Sequence, residues 1–218
     1  MGPVLGELLP LVVGVAVSPI PIIAAILMLL GRHARTTSIG FAIGWLVGIV
    51  VAVAVFVALG SAVDLDGSSS STGWMKIALG VVLLVVGLRQ WRSRHAESAT
   101  PKWMSAIDEM RPVTAMGIAF ALAAINPKNL LLCAAAGVSI ASGALSMPQD
   151  VIAVAVFALL ASTSVVVPVV GYQLAAARLR EPLDRLKSWL QANNATVMAV
   201  LILVIGVVLV GKGIGGAS

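Results

Sequence analysis

Carboxylates are scarce in this chain: nine in 218 residues, and none at the centre of a long apolar run. Hard cations bind carboxylate and carbonyl oxygens, and proton relays through membranes use Asp, Glu or His. A metal-cation or cationic amino-acid exporter would have to rely on backbone carbonyls and Glu7, and is disfavoured. Cysteine is nearly absent too. Cys133 stands alone, which excludes an intramolecular disulfide and a two-cysteine redox relay, and within its apolar run it reads as a small buried hydrophobe. The two histidines, His33 and His95, lie in basic stretches away from every mid-run serine. No His, Cys or carboxylate cluster has metal-ligand spacing, and no glycine-rich phosphate loop is present. The expectation is a protein that is not an enzyme, with no catalytic residue, no metal and no cofactor. Charge of either sign makes up 11% of the chain and apolar residues 60%, against about 25% and about 45–50% in soluble domains. An integral membrane protein follows, with one domain almost entirely in the bilayer.

Apolar runs fall at about 4–30, 39–62, 74–90, 112–142, 151–174 and 195–212, predicting an all-α fold of six transmembrane helices. The first run has no basic segment before it and no small-residue cleavage site, so it is expected to be a retained span. Gly6 stands where a myristoylation pattern wants Ser or Thr. Arg32 and Arg35 follow the first run, Arg89, Arg92, Arg94, Lys102 and Arg111 the third, and Arg178, Arg180, Arg185 and Lys187 the fifth. The alternate connections hold almost no cations. The positive-inside rule places the basic loops in the cytoplasm and both termini outside the cell (inner) membrane. That distribution also accounts for the net charge of +5, so no nucleic-acid partner is expected.

One stretch, 122–132, breaks the apolar pattern by setting Asn126, Pro127, Lys128 and Asn129 in the middle of a run. Lys128 is the only basic residue inside a long apolar segment, where an ammonium costs several kcal/mol, and such a residue marks a functional site by default. Pro127 lacks an N–H and clashes with the carbonyl four residues earlier, so the helix must bend or break there. The competing reading is a structural kink whose lysine is satisfied by carbonyls of a neighbouring helix. The first run carries Ser18-Pro19-Ile20-Pro21 at about the same offset from its own start. Matching breaks predict two inverted three-helix halves, 1–91 and 112–218, joined by a cytoplasmic linker, 92–111, and proline-broken helices in corresponding positions are how transporters build midplane sites. A weaker echo pairs Gly80-Val-Val-Leu with Gly206-Val-Val-Leu.

Gly40, Gly44 and Gly48 form a strip on which another helix can approach closely, within the protomer in preference to between protomers. Ser162, Thr163 and Ser164 lie mid-run with Pro168 one turn later, and their hydroxyls either line a path or bond back to the preceding turn. Segments 101–110 and 182–190 each begin with proline and repeat Trp, Met, Ile or Leu at helical spacing, predicting surface helices in the inner interface.

The segments VSPIPIIAAILML (17–29), GWLVG (44–48), LRQW (88–91), PKWMSAID (101–108), AINPKNLLL (124–132), NNATVMAV (193–200) and GKGIGG (211–216) together resemble the GAP family of actinobacterial membrane proteins, also called sulfolipid- or peptidoglycolipid-addressing proteins, within the lysine-exporter (LysE) superfamily. The resemblance runs nearly end to end. It implies transport: superfamily members export small solutes or ions, and this branch is associated with moving glycolipids toward the cell surface beside large lipid transporters in mycobacteria. Carried over, the substrate-binding candidates are Pro19 and Pro21, and Asn126, Pro127, Lys128 and Asn129; the residues themselves add Ser18, Ser162 and Thr163. The superfamily's metal exporters carry acidic residues in their spans and this chain does not, so their cation mechanism does not transfer. The expected function is translocation of an amphipathic, anionic lipid or glycolipid, with Lys128 neutralising the headgroup. The alternatives are an exporter of a small polar metabolite or amino acid, and a non-transporting accessory subunit of a larger lipid transporter. Membrane lipids, such a transporter and a second copy of the chain are the partners considered.

Overall fold

The computed structural model describes residues 1–62, 69–92 and 110–217. Every regular element among them is an α-helix, in the order α1 (Gly2–Ala16), α2 (Pro19–Leu30), α3 (Ala34–Ala62), α4 (Ser69–Arg92), α5 (Pro112–Ala124), α6 (Pro127–Ala141) and α7 (Met147–Ala217). Among the described residues four stretches are each long and apolar enough to cross a bilayer: Ala34–Ser61, Gly73–Arg92, Met147–Ala176 and Arg178–Gly215. The number rises to six if α1 with α2, and α5 with α6, are each one bent span. The chain is a multi-pass, all-helical membrane protein. On α3, Phe41, Trp45, Ile49 and Val53 face inward, fully buried, while Ile43, Val47, Val51 and Val55 are exposed. An apolar residue on the outside of such a helix is in its proper solvent when that solvent is lipid.

Proline explains both short-helix breaks. Ser18 and Asn126 precede Pro19 and Pro127 and take extended backbone (ψ 112° and 122°), the conformation to which a following proline ring pushes its neighbour. The bends are 52° between α1 and α2 and 61° between α5 and α6. The break in α7 is of another kind. It falls at Ala175 (φ −145°, ψ 49°), while Pro168 and Pro182 lie inside continuous helix.

One expectation changes. The 182–190 segment is not a separate surface helix: it is the first part of the arm Arg178–Gly215. The reason is local, since after Pro182 no residue interrupts the helical ladder, and Glu181–Arg185 and Asp184–Lys187 pair along one side. At 38 residues the arm is ~57 Å long, well beyond the hydrocarbon thickness. Leu183 and Leu190 are buried, and Leu186 and Trp189 exposed. The other predicted surface helix, 101–110, lies outside the described residues except for Met110, which is buried.

Packing follows small residues. A Cβ on Gly40, Gly44 or Gly48 would meet Pro112, Met116, or Phe120 and Ala123, so α3 and α5 run side by side in the same direction, within one chain. Farther along α3, Phe56 and Val57 meet Gly137 of α6. On the other side, α4 packs antiparallel to the second arm of α7: Gly80 faces Gly206 and Val210, Gly87 faces Leu203, and Gly213 faces Gly73 and Ile77. The first arm runs parallel to α1 and α2. Val156, Phe157 and Leu160 lie by Leu5–Val12, and Val169 and Tyr172 by Ile26 and Leu29.

One ion pair fastens the starts of α1 and α4, Lys76 Nζ to Glu7 Oε2 at 2.7 Å. Its side chains are 10% and 32% exposed, between a surface pair worth under about 1 kcal/mol and a buried one. Lys76→Glu is expected to lower stability by about 1–2 kcal/mol, and adding Glu7→Lys to recover most of it. Thermal unfolding of the single and double variants in detergent checks this.

Candidate functional site

A helix that stops in the bilayer leaves carbonyls without donors, and where those carbonyls go defines the centre of this molecule. At the first break the Ser18 N–H bonds Val15 O at 3.2 Å instead of reaching Gly14 O. At the second, Asn126 N–H bonds Ala121 O at 3.1 Å instead of Leu122 O. Each break therefore frees a carbonyl, Gly14 O in one and Leu122 O in the other. Both are taken up by side chains of the same short motif. Lys128 Nζ donates to Gly14 O at 2.8 Å, and Asn129 Nδ2 donates to Leu122 O at 2.8 Å.

The motif occupies the first turn of α6 in a fixed register. Asn126 is the N-cap, its Oδ1 accepting from the Lys128 N–H at 3.1 Å; Pro127 stands at the first helical position, where a missing N–H costs nothing. Lys128 and Asn129 follow, 5% and 0% exposed. The lysine thereby reaches across from the second broken pair to the carbonyl end of α1, the negative end of a helix dipole. Its other contact is Met198 Sδ at 3.6 Å, from the second arm of α7. Three parts of the chain distant in sequence are joined at one amine.

Polar capacity is left over at Asn129, and separately on the first arm of α7. Asn129 Oδ1 and Ser162 Oγ are buried without a hydrogen-bond partner. Such groups are uncommon in a folded interior, and each is a position where a ligand or water oxygen or donor can be held. The sequence candidates thus divide. Ser18, Pro19 and Pro21 are buried at the first break and Lys128 is bonded four residues upstream of it; Asn126, Lys128 and Asn129 meet at the second, with Pro127 exposed. Ser162 is buried on the first arm of α7, whereas Thr163 is exposed and donates to Leu160 O at 2.7 Å, the bond back into its own helix. No hydrogen bond joins Ser162 or Thr163 to either break among the described residues.

Two participants were not among the expected residues. Gly14 contributes only a backbone oxygen, and its lack of a Cβ lets the Ile205 side chain close over it. Met198 lies within NNATVMAV, one of the segments carrying the family resemblance, so a signal for it was present. Beside the break, an open groove of about 330 Å³ runs between Val17 and Trp189, Asn193, Thr196 and Val200 of the last arm, giving that face an apolar flank with two polar side chains. Among the described residues no group of three or more His, Cys, Asp or Glu could hold a metal ion.

A model of the family described as "Sap, sulfolipid-1-addressing protein" matches residues 8–215. Neither a curated protein nor a solved structure matches the chain.

Proposed function

The chain belongs to the sulfolipid-1-addressing protein family, and from that premise we propose that it translocates an amphipathic, anionic lipid or glycolipid across the cell (inner) membrane toward the envelope. The observation that carries the reading is Lys128: an amine almost wholly buried, whose partners are a carbonyl and a thioether, with no carboxylate beside it among the described residues. A cation in that setting is best compensated by an anion supplied from outside the chain. The N-terminus of α6 points its dipole the same way, toward negative charge. A sulfate or phosphate oxygen arriving at Lys128 takes the place of Gly14 O, with Asn129 Oδ1 as a further polar group for a hydroxylated headgroup. Exchange at Lys128 releases α1 from α6, so binding and the opening of the two broken helices are one event.

Six spans in two inverted halves fit this mechanism. The Glu7–Lys76 pair supports counting α1 with α2 as one crossing, because α3 must then return the chain to bring α4 back beside the start of α1. The parallel run of α3 beside α5 and α6 supports the same count for the second pair. Two further relations favour a pseudo-two-fold arrangement. Gly80 and Gly206 approach each other's carbonyl reciprocally, and α3 with α5–α6 has its counterpart in the first arm of α7 with α1–α2. The basic residues around 31–35 and 178–187 then lie in the cytoplasm and both termini outside. Membership of the lysine-exporter superfamily is part of this proposal.

The bond to Gly14 O also favours a second reading, in which Lys128 is only a clamp and the protein is a non-transporting subunit of a larger lipid transporter. A reconstitution test separates the two. Proteoliposomes carrying a headgroup-labelled anionic lipid are expected to lose inner-leaflet label at least tenfold faster than protein-free vesicles, and a zwitterionic analogue to move no faster. Equal rates with and without protein would favour the subunit reading.

A further inference from the structure

A second cavity, of about 510 Å³, opens between the α2–α3 corner and the junction of the two arms of α7, apart from the Lys128 motif. Arg32, His33, Arg35, Tyr172 and Arg180 are among the residues that line it, and no carboxylate does. Arg32 and Arg35 make no ion pair among the described residues, and Glu181, the carboxylate next to Arg180 in sequence, is engaged by Arg185. The groups that would repel an anion are occupied. Arg180 Nη2 donates to Leu30 O at 3.4 Å and Gln173 Nε2 to Arg35 O at 3.3 Å, while the hydroxyls of Thr36 and Thr37 both donate to His33 O.

What the corner presents is therefore mostly guanidinium forks suited to bidentate oxyanion binding, while the Thr36 and Thr37 N–H groups at the start of α3 are already bonded to His33 O. Beneath them Tyr172 is buried with Ile26, Leu29 and Val169, an apolar floor continuous with the lipid-facing helices. The positive-inside rule asks for cations near this surface; it does not ask for three arginines to converge on one concavity against a pinned backbone corner.

We propose that this cavity is a second binding site, selective for a phosphate- or sulfate-type oxyanion such as an anionic lipid presents at the cytoplasmic face. The inference goes beyond the Lys128 reading and does not depend on it. Calorimetric titration of the full-length protein in a zwitterionic detergent tests it, using dihexanoyl phosphatidic acid, dihexanoyl phosphatidylcholine and sodium sulfate as probes. Wild type is expected to bind phosphatidic acid and not phosphatidylcholine. Arg32→Gln with Arg35→Gln, both exposed and so compatible with folding, is expected to weaken binding more than tenfold. Arg92→Gln with Arg178→Gln removes the same charge outside the cavity and is expected to leave affinity within twofold. Sulfate that binds and competes assigns the site to the oxyanion alone; phosphatidic acid binding without sulfate binding assigns it to a lipid-borne headgroup. Equal weakening by the two double variants, binding of phosphatidylcholine, or no binding of either anion overturns the proposal.

Discussion

Gly44→Leu is expected to leave little of the chain folded. At this position the nearest atoms to an added Cβ are the carbonyl oxygen, carbonyl carbon and Cα of Met116, all backbone, so no rotamer change makes room. Alanine already forces α3 away from α5, and leucine separates them by the thickness of a side chain. Lipid tails are as apolar as the helices they surround, so close packing and backbone proximity, more than exclusion from water, hold these two together. Overpacking a rigid contact costs about 1–3 kcal/mol and here more, because the same face also carries the approach at Gly40 and Gly48. Against a total stability of about 5–15 kcal/mol that is a large share. Gly117→Ala is the control, since nothing lies within 4 Å of its Cβ position. The fraction of protein recovered as a monodisperse species after heating in detergent should fall steeply for Gly44→Leu and stay at wild-type level for Gly117→Ala.

Lys128→Met is expected to abolish lipid movement while leaving a protein that folds. Methionine keeps the length and apolar body of the lysine side chain, so the volume between α1, α6 and the last arm stays filled. What goes is the donor to Gly14 O, whose replacement partner Met198 cannot provide one. Leaving that carbonyl unpaired costs about 1–3 kcal/mol. Transport loses more, since the group proposed to neutralise the headgroup is absent, and a drop of at least tenfold in the vesicle assay is expected. Lys128→Arg should not rescue it, because a planar fork replaces a compact ammonium within a space already closed by Met198 and Ile205. A variant retaining wild-type rates with methionine at 128 would place the lysine in structure alone.

The breaks in both short-helix pairs were legible because proline acts locally: Ser18-Pro19 and Asn126-Pro127 fix the backbone of the preceding residue whatever surrounds them. The Gly40–Gly48 strip was legible as a contact face for the same kind of reason, four-residue spacing on a helix. Its partner was not, since the α5 surface it meets contributes backbone atoms at Pro112 and Met116. The same holds at the site. Lys128 and the two asparagines were evident from their cost in an apolar run, but Gly14 O leaves no mark in the side-chain pattern. It is deducible only by asking which carbonyl the Ser18 N–H abandons. The break at Ala175 has no breaker residue at all, with Gly171 and Pro168 before it and Pro182 after it. The first arm of α7 packs along α1–α2, while the second packs along α4 and reaches the end of α1 and the start of α6, and that tertiary demand sets the break where local sequence does not. The length of the last arm was misjudged because charged residues at 180–187 ended the apolar run without ending the helix.

The measurement that bears most directly on lipid handling at Lys128 is mass spectrometry of the lipids that co-purify with the wild-type protein from its own membranes, set against Lys128→Met prepared identically. An acidic lipid or glycolipid enriched with wild type and lost from the variant is the predicted result. The same bulk phospholipids in both preparations, in the same proportions, would contradict a lipid site built on the Asn126–Asn129 turn.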